Sequence, residues 1–147
     1  MNRVLSLTVS VWFIVIATHA VAEEPKKETK AENQLVGTWR LVSAKYNGEE
    51  FKIPEGQTML KHVTPTQFIW VWYDKDGKIT TAAGGACDIR GNEYEEVPEY
   101  GLGEAFQGIK GSKQSFTWKI EKNKWHHSGK LSIGVTVDEI WEPVHKR

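Results

Sequence analysis

From position 37 onward the apolar residues of this chain fall in short runs, each rich in Val, Ile, Thr, Trp or Tyr and bounded by turn residues. No apolar repeat of 3.6 residues persists there, so helices are not expected to carry the core. Eight runs read as strands: 37–46, 58–63, 68–73, 79–89, 93–97, 114–121, 125–131 and 135–144. The connections include TPT, DKDG, RGN, KN and SIG, with two longer stretches, NGEEFKIPEG and PEYGLGEAFQGIKGSK. Most are too short for a crossover helix, so successive strands must pair antiparallel. An open meander of eight strands would leave two unpaired edges. Closure removes both and leaves room for side chains or one small ligand. The pattern predicts an all-β domain, an eight-stranded antiparallel up-and-down barrel.

Alternation along each run, combined with the turns, also sets which side chains face the core. In WHHSGKLSIGVTVDEIW, residues 125–141, a three-residue loop with Gly134 left-handed pairs Leu131 with Val135. That register puts Gly129 beside Val137, His127 beside Glu139 and Trp125 beside Trp141, and both apolar faces meet. His127 then faces the core, and His126 faces water with Lys130. A Gly91-Asn92 turn pairs Ile89 with Tyr94 and Cys87 with Glu96. A Pro65-Thr66 turn pairs Val63 with Phe68, Lys61 with Trp70 and Met59 with Trp72. A loop one residue longer would turn His62 inward instead of Lys61, but Met59 and Val63 give the Lys61 face its apolar company.

The expected interior is walled by Trp39, Phe68, Trp70, Trp72, Trp118, Trp125 and Trp141, and Lys61, Tyr94, Glu96, His127 and Glu139 project into it. Val42, Tyr46 and Ile140 fall on the outer face, too scattered to define an interaction surface. Buried charges cost several kcal/mol each unless paired. The polar set therefore reads in two ways: as paired core groups, Lys61–Glu96 and His127–Glu139, or as the orienting groups of an apolar small-molecule pocket. On the second reading the ligand-binding candidates are Lys61, Trp70, Trp72, Tyr94, Glu96, Trp118, His127 and Glu139.

Charge and composition narrow the partners. Lys plus Arg and Asp plus Glu both number 19, and no basic stripe appears, which argues against nucleic acid. Cys87 is the sole cysteine, so no intramolecular disulfide supports the fold, and it reads as a small apolar side chain. The first residues differ from the rest. One positive charge at Arg3, an uncharged run over 4–18 and small residues at Ala20 and Ala22 have the order of a secretory signal peptide, with cleavage expected after Ala22. The run falls short of the ~18 to 20 apolar residues of a spanning helix, so no integral membrane segment is expected in the mature chain. No Cys follows the cleavage point, which argues against a lipid anchor. EEPKKETKAEN is charged and aromatic-free, a solvated linker. The expected organisation is a signal peptide over 1–22, a flexible linker over 23–33 and a barrel over 34–147, secreted or periplasmic and monomeric.

VGTWRL at 36–41 resembles the Gly-x-Trp signature that opens lipocalins and related calycin-type barrels. Together with FIWVWYD, GGACDIRGNEYEEVPEYG and DEIWE, residues 35–144 are similar to small exported bacterial lipocalin-like domains. The resemblance implies that Trp39 plugs the closed end of the barrel, with Arg147 as the candidate for the arginine that often covers it. It also implies a small hydrophobic or amphipathic ligand inside. In the two long loops, Phe51, Ile53, Leu102 and Phe106 are candidate apolar lids, and simple packing over a barrel end explains them equally well. Related barrels sometimes hold haem through one histidine, which here would be His127. The residues themselves leave alternatives. His127 with Glu139 has the make-up of a general base and its orienting carboxylate, with Tyr94 as proton donor, which suits an isomerase or hydrolase. No activated nucleophile is visible, since Glu96 disfavours a Cys87 thiolate, and no catalytic residue is assigned. A barrel filled solid by its tryptophans would be a structural envelope module. Adjacent histidines point to opposite faces and cannot share one ion, and zinc takes three or four ligands where only His127, Glu139 and Glu96 could converge, so no metal is expected; no cofactor is assigned.

Overall fold

A computed structural model describes residues 32–144 of the chain. The expected signal peptide, most of the linker and Arg147 lie outside the described residues. The elements in order are α1 (Glu32–Leu35), β1 (Gly37–Tyr46), β2 (Glu49–Phe51), β3 (Thr58–Val63), β4 (Gln67–Tyr73), β5 (Ile79–Arg90), β6 (Glu93–Leu102), α2 (Glu104–Ile109), β7 (Gln114–Glu121), β8 (Lys124–Lys130) and β9 (Thr136–Pro143). All pairings are antiparallel; β1 pairs with both β2 and β3, each strand from β3 onward pairs with the next, and β1 also pairs with β9 to close the ring. Eight strands form the barrel. The ninth, β2, is a short addition that pairs with the second half of β1 beyond the reach of β3.

The registers read from the turns are those observed. Met59 pairs with Trp72, Lys61 with Trp70 and Val63 with Phe68. Cys87 pairs with Glu96 and Ile89 with Tyr94. Trp125 pairs with Trp141, His127 with Glu139 and Gly129 with Val137. The β8–β9 loop closes with Leu131 N–H on the Val135 carbonyl at 2.8 Å, and Gly134 adopts φ 90. That left-handed backbone suits glycine, which has no Cβ to clash.

Four departures from the sequence reading have physical causes. Asn47-Gly48, both at positive φ, make a tight turn that brings β2 back onto β1, where the sequence suggested only a connection. β6 continues to Leu102, because a bulge at Glu99 of β6, opposite Gly84 and Gly85 of β5, lets the strand pass Pro98 and go on. The pairing of β6 with β7 stops at Glu96↔Gln114, so upper β6 has no strand on that side. α2 lies there instead, burying Phe106 and Ile109 in the stretch read as a glycine-rich loop. The fourth departure is on β1. A bulge between Leu41 and Ser43 shifts the alternation, so Trp39 and Leu41 face inward and then Ala44 and Tyr46 do. Tyr46 therefore belongs to the interior, not to the outer face.

The barrel has a closed end and an open end. Leu35 of α1 is fully buried at the closed end, and its carbonyl accepts the Trp39 Nε1–H at 2.9 Å. Trp39, Tyr94 and Trp141 gather around the Trp125 ring at 5.6–5.8 Å between centroids. This aromatic plug supports the polar layer described next.

Candidate functional site

Inside the barrel five polar side chains are buried: Lys61, Glu96, His127 and Glu139 in a layer midway along it, and Gln114 nearer the rim. Each sits on a different strand, and each faces inward through the alternation just described. Lys61 Nζ is 2.8 Å from Glu96 Oε1, with both side chains almost wholly enclosed. The ammonium also lies 5.2–5.9 Å from the ring centroids of Trp141, Trp125 and Tyr94. Aromatic faces are favourable surroundings for a cation and offset part of its desolvation.

Glu139 is the acceptor of a second network. Its Oε2 is 3.0 Å from His127 Nδ1 and accepts the Trp141 indole N–H at 3.1 Å, while Oε1 accepts the Tyr46 hydroxyl at 3.0 Å. Burial works against the charged form of Glu139. The His127 hydrogen bond, the charge of Lys61 and the Tyr46 hydroxyl outweigh it and hold the carboxyl below its ordinary range. His127 is likewise held below its ordinary value, chiefly by burial and then by the Lys61 charge, although Glu139 opposes this. Burial, reinforced by Glu139, raises the Tyr46 hydroxyl. The consistent protonation pattern is an ionised Glu139, a neutral His127 carrying its proton on Nδ1, and a neutral Tyr46 donating. Nδ1–H points to the carboxylate, leaving Nε2 as a bare acceptor, and that atom is buried without a hydrogen-bond partner.

Above this layer lies a cavity of about 330 Å³ that opens at the end away from Trp39. Lys61, Trp70, Trp72, Glu96, His127 and Glu139, six of the eight residues singled out from the sequence, line it. Tyr94 and Trp118 do not. Both are buried toward the closed end, Tyr94 against Phe116, Trp125 and His127. Alternation specifies the face of a strand and says nothing of height along the barrel axis, so it placed them inside but could not place them below the cavity. Burial, with the nearby Glu96 charge, raises the Tyr94 hydroxyl well above its ordinary value.

Sequence reasoning missed Tyr46, Gln114 and Ile109, which also line the cavity. The inward parity of Phe116 and Trp118, carried one step back, gives Gln114. Its amide ties the rim together, donating to the Ser112 carbonyl and Ser132 Oγ at 2.7 and 2.9 Å and accepting the Ser132 N–H at 2.8 Å. Phe106 and Ile109, three apart, carried the helical signal for α2. No alternation rule reveals Tyr46, because the bulge precedes it. Of the candidate lids, Phe106 packs with Phe68 and Trp70, and Phe51 stands edge-on to Tyr46 and Trp72 at 5.3 and 5.8 Å. Leu102 is partly exposed and does not line the cavity. His126 lies outside the barrel near Glu121, and His62 pairs with Thr38 on the outer surface.

Among the described residues, no group of three or more His, Cys, Asp or Glu is arranged to hold a metal ion. Also among the described residues, no helix is long and apolar enough to cross a membrane. Burial and then the Glu96 charge push the Cys87 thiol up to about 12, away from nucleophilic use.

No protein-family model and no curated protein sequence matches the chain. Solved structures do resemble it. A redesigned β barrel superposes with a TM-score of 0.50 at 14% identity, covering 78% of this chain and 96% of its own. A de novo designed fluorescence-activating β barrel gives 0.46 at 14% identity, covering 80% and 100%. A structure described as a fatty acid transporter gives 0.36 at 15%, covering 78% and 99%. At such identities the likeness concerns the fold, a closed lipocalin-like barrel.

Proposed function

We propose that this protein is an exported binding protein that holds a small hydrophobic or amphipathic molecule inside its barrel. The observation that carries the reading is the cavity itself: about 330 Å³, walled by Trp70, Trp72, Met59 and Phe116, with ionic and hydrogen-bonding side chains gathered at its inner end. A barrel that needed only stability would fill that volume with aliphatic side chains, because voids and buried charges both lower stability. Apolar walls with a few convergent polar groups are the usual make-up of a small-molecule site. Two of the lining side chains are tryptophans, so occupancy should alter intrinsic fluorescence. Native mass spectrometry of protein purified from its own compartment should show a retained molecule, and extraction of that molecule should change the tryptophan emission. Protein that carries nothing and whose emission no small apolar compound perturbs would overturn the reading.

Export rests on the order of charge, apolar run and small residues in the first 22 positions. N-terminal sequencing of the mature protein should begin at Glu23. Recovery of Met1 would refute it.

The His127–Glu139 geometry favours one alternative. A carboxylate that fixes the Nδ1–H tautomer leaves Nε2 as a base, so a ligand with an acidic C–H near it would be a substrate for proton transfer. Deuterium uptake into the retained molecule, lost in His127→Gln, would replace the binding reading with this one.

A further inference from the structure

The charges around the cavity select among ligands. Lys61 and Glu96 neutralise one another at 2.8 Å, whereas Glu139 has no ammonium or guanidinium in contact: its three neighbours are the donors of His127, Tyr46 and Trp141, and Lys61 acts on it through its charge without touching it. The lining therefore carries one net negative charge, held by groups that cannot move away without breaking buried hydrogen bonds. Among the lining residues, the buried side-chain atom left without a partner is an acceptor, His127 Nε2. An unsatisfied buried polar group costs free energy until something supplies its hydrogen bond. We infer that the ligand is an uncharged or cationic ring compound that presents an O–H or N–H donor to His127 Nε2, and that carboxylate-bearing ligands such as fatty acids are rejected.

The inference rests on the binding reading above and narrows it. Two further features agree with it. The cavity holds roughly ten to fifteen non-hydrogen atoms at the volumes typical of close-packed matter, a ring with a short substituent and not a long chain. Among its aromatic members, Trp70, Trp72 and Phe116 offer flat faces against which a ring can lie. A carboxylate would meet Glu139 across an apolar space where charge repulsion is poorly screened, and its natural partner, Lys61, is already engaged by Glu96.

Four probes of nearly one shape separate the possibilities: 4-propylphenol, its methyl ether 4-propylanisole, 4-propylbenzoate and propylbenzene. Titrated into the purified protein near pH 7.5 and followed by tryptophan fluorescence, 4-propylphenol should bind at least tenfold more tightly than the benzoate. It should also bind several-fold more tightly than the anisole or propylbenzene. His127→Leu should bring the phenol and the anisole within twofold of each other, while His127→Gln, which keeps an acceptor, should retain part of the preference. Should the Leu variant fail to fold, the phenol-to-anisole ratio in the unaltered protein measures the same hydrogen bond. Equal affinity for phenol and anisole, or a benzoate that binds as well as the phenol, would overturn the inference while leaving the barrel a binding protein. Failure of all four probes to bind would also overturn the inference, while the binding reading itself would fall only if the purified protein retained no molecule as well.

Discussion

Glu139 accepts from three side chains that reach it from three directions, and its energetic importance follows from that arrangement. Truncating one partner of a buried charged group typically costs ~3 to 5 kcal/mol, whereas a surface histidine change stays within about 0.5 kcal/mol. His127→Ala should therefore lower the urea midpoint sharply and His126→Ala should barely move it. The reverse result would mean the inward and outward faces of β8 are exchanged. Tyr46→Phe removes one donor and should cost ~1 to 2 kcal/mol. Acid should act through the same network. His127 and Glu139 both titrate below their ordinary values of 6.5 and 4.5, so the folded state binds protons less readily than the unfolded chain. The stability they contribute is complete above pH 6.5 and falls as pH drops, first through the histidine and then through the carboxyl, by at most about 1.4 kcal/mol per pH unit for each. Denaturation curves that do not change between pH 8 and pH 4 would contradict this. The partnership of His127 with Glu139 was legible in the sequence, because two apolar faces agreed on one register. That of Tyr46 was not, since a single extra residue in β1 reverses every later side chain without leaving a mark in the composition.

At the level of elements, the strands between tight turns were readable and the segments beside bulges were not. Gly85 shows why. It sits where β5 and β6 change register, and a Cβ there would strike the Val97 carbonyl. Gly85→Ala should cost about 1 to 3 kcal/mol, and a neutral result by thermal melting would place the bulge elsewhere. α2 is the weak element. It has six residues, no side-chain cap on its first turn, and it stands where β6 has lost its strand partner on the β7 side. Its amides should exchange with solvent faster than those of the flanking strands. Because Ala105 and Ile109 face the cavity, a bound molecule should slow that exchange selectively. Equal exchange with and without ligand would mean that α2 takes no part in enclosing it.

Across the whole molecule, the ring depends on pairing the first strand with the last. Val144 donates to the Thr38 carbonyl at 2.8 Å, and β1 follows β9 from Trp39↔Pro143 to Tyr46↔Val137. Contacts between residues so far apart in sequence make closure slow and late in folding. A chain ending before β9 should expose two sheet edges and aggregate, which light scattering would detect. The same pairing places the start of β1 and the end of β9 together beside the Trp39 plug, at the pole opposite the cavity mouth. The barrel is thus a cup whose handle is at its base. A bead, a reporter domain or a neighbouring protein joined through either end of the described chain would hold the cup by its foot, with the rim free and facing outward.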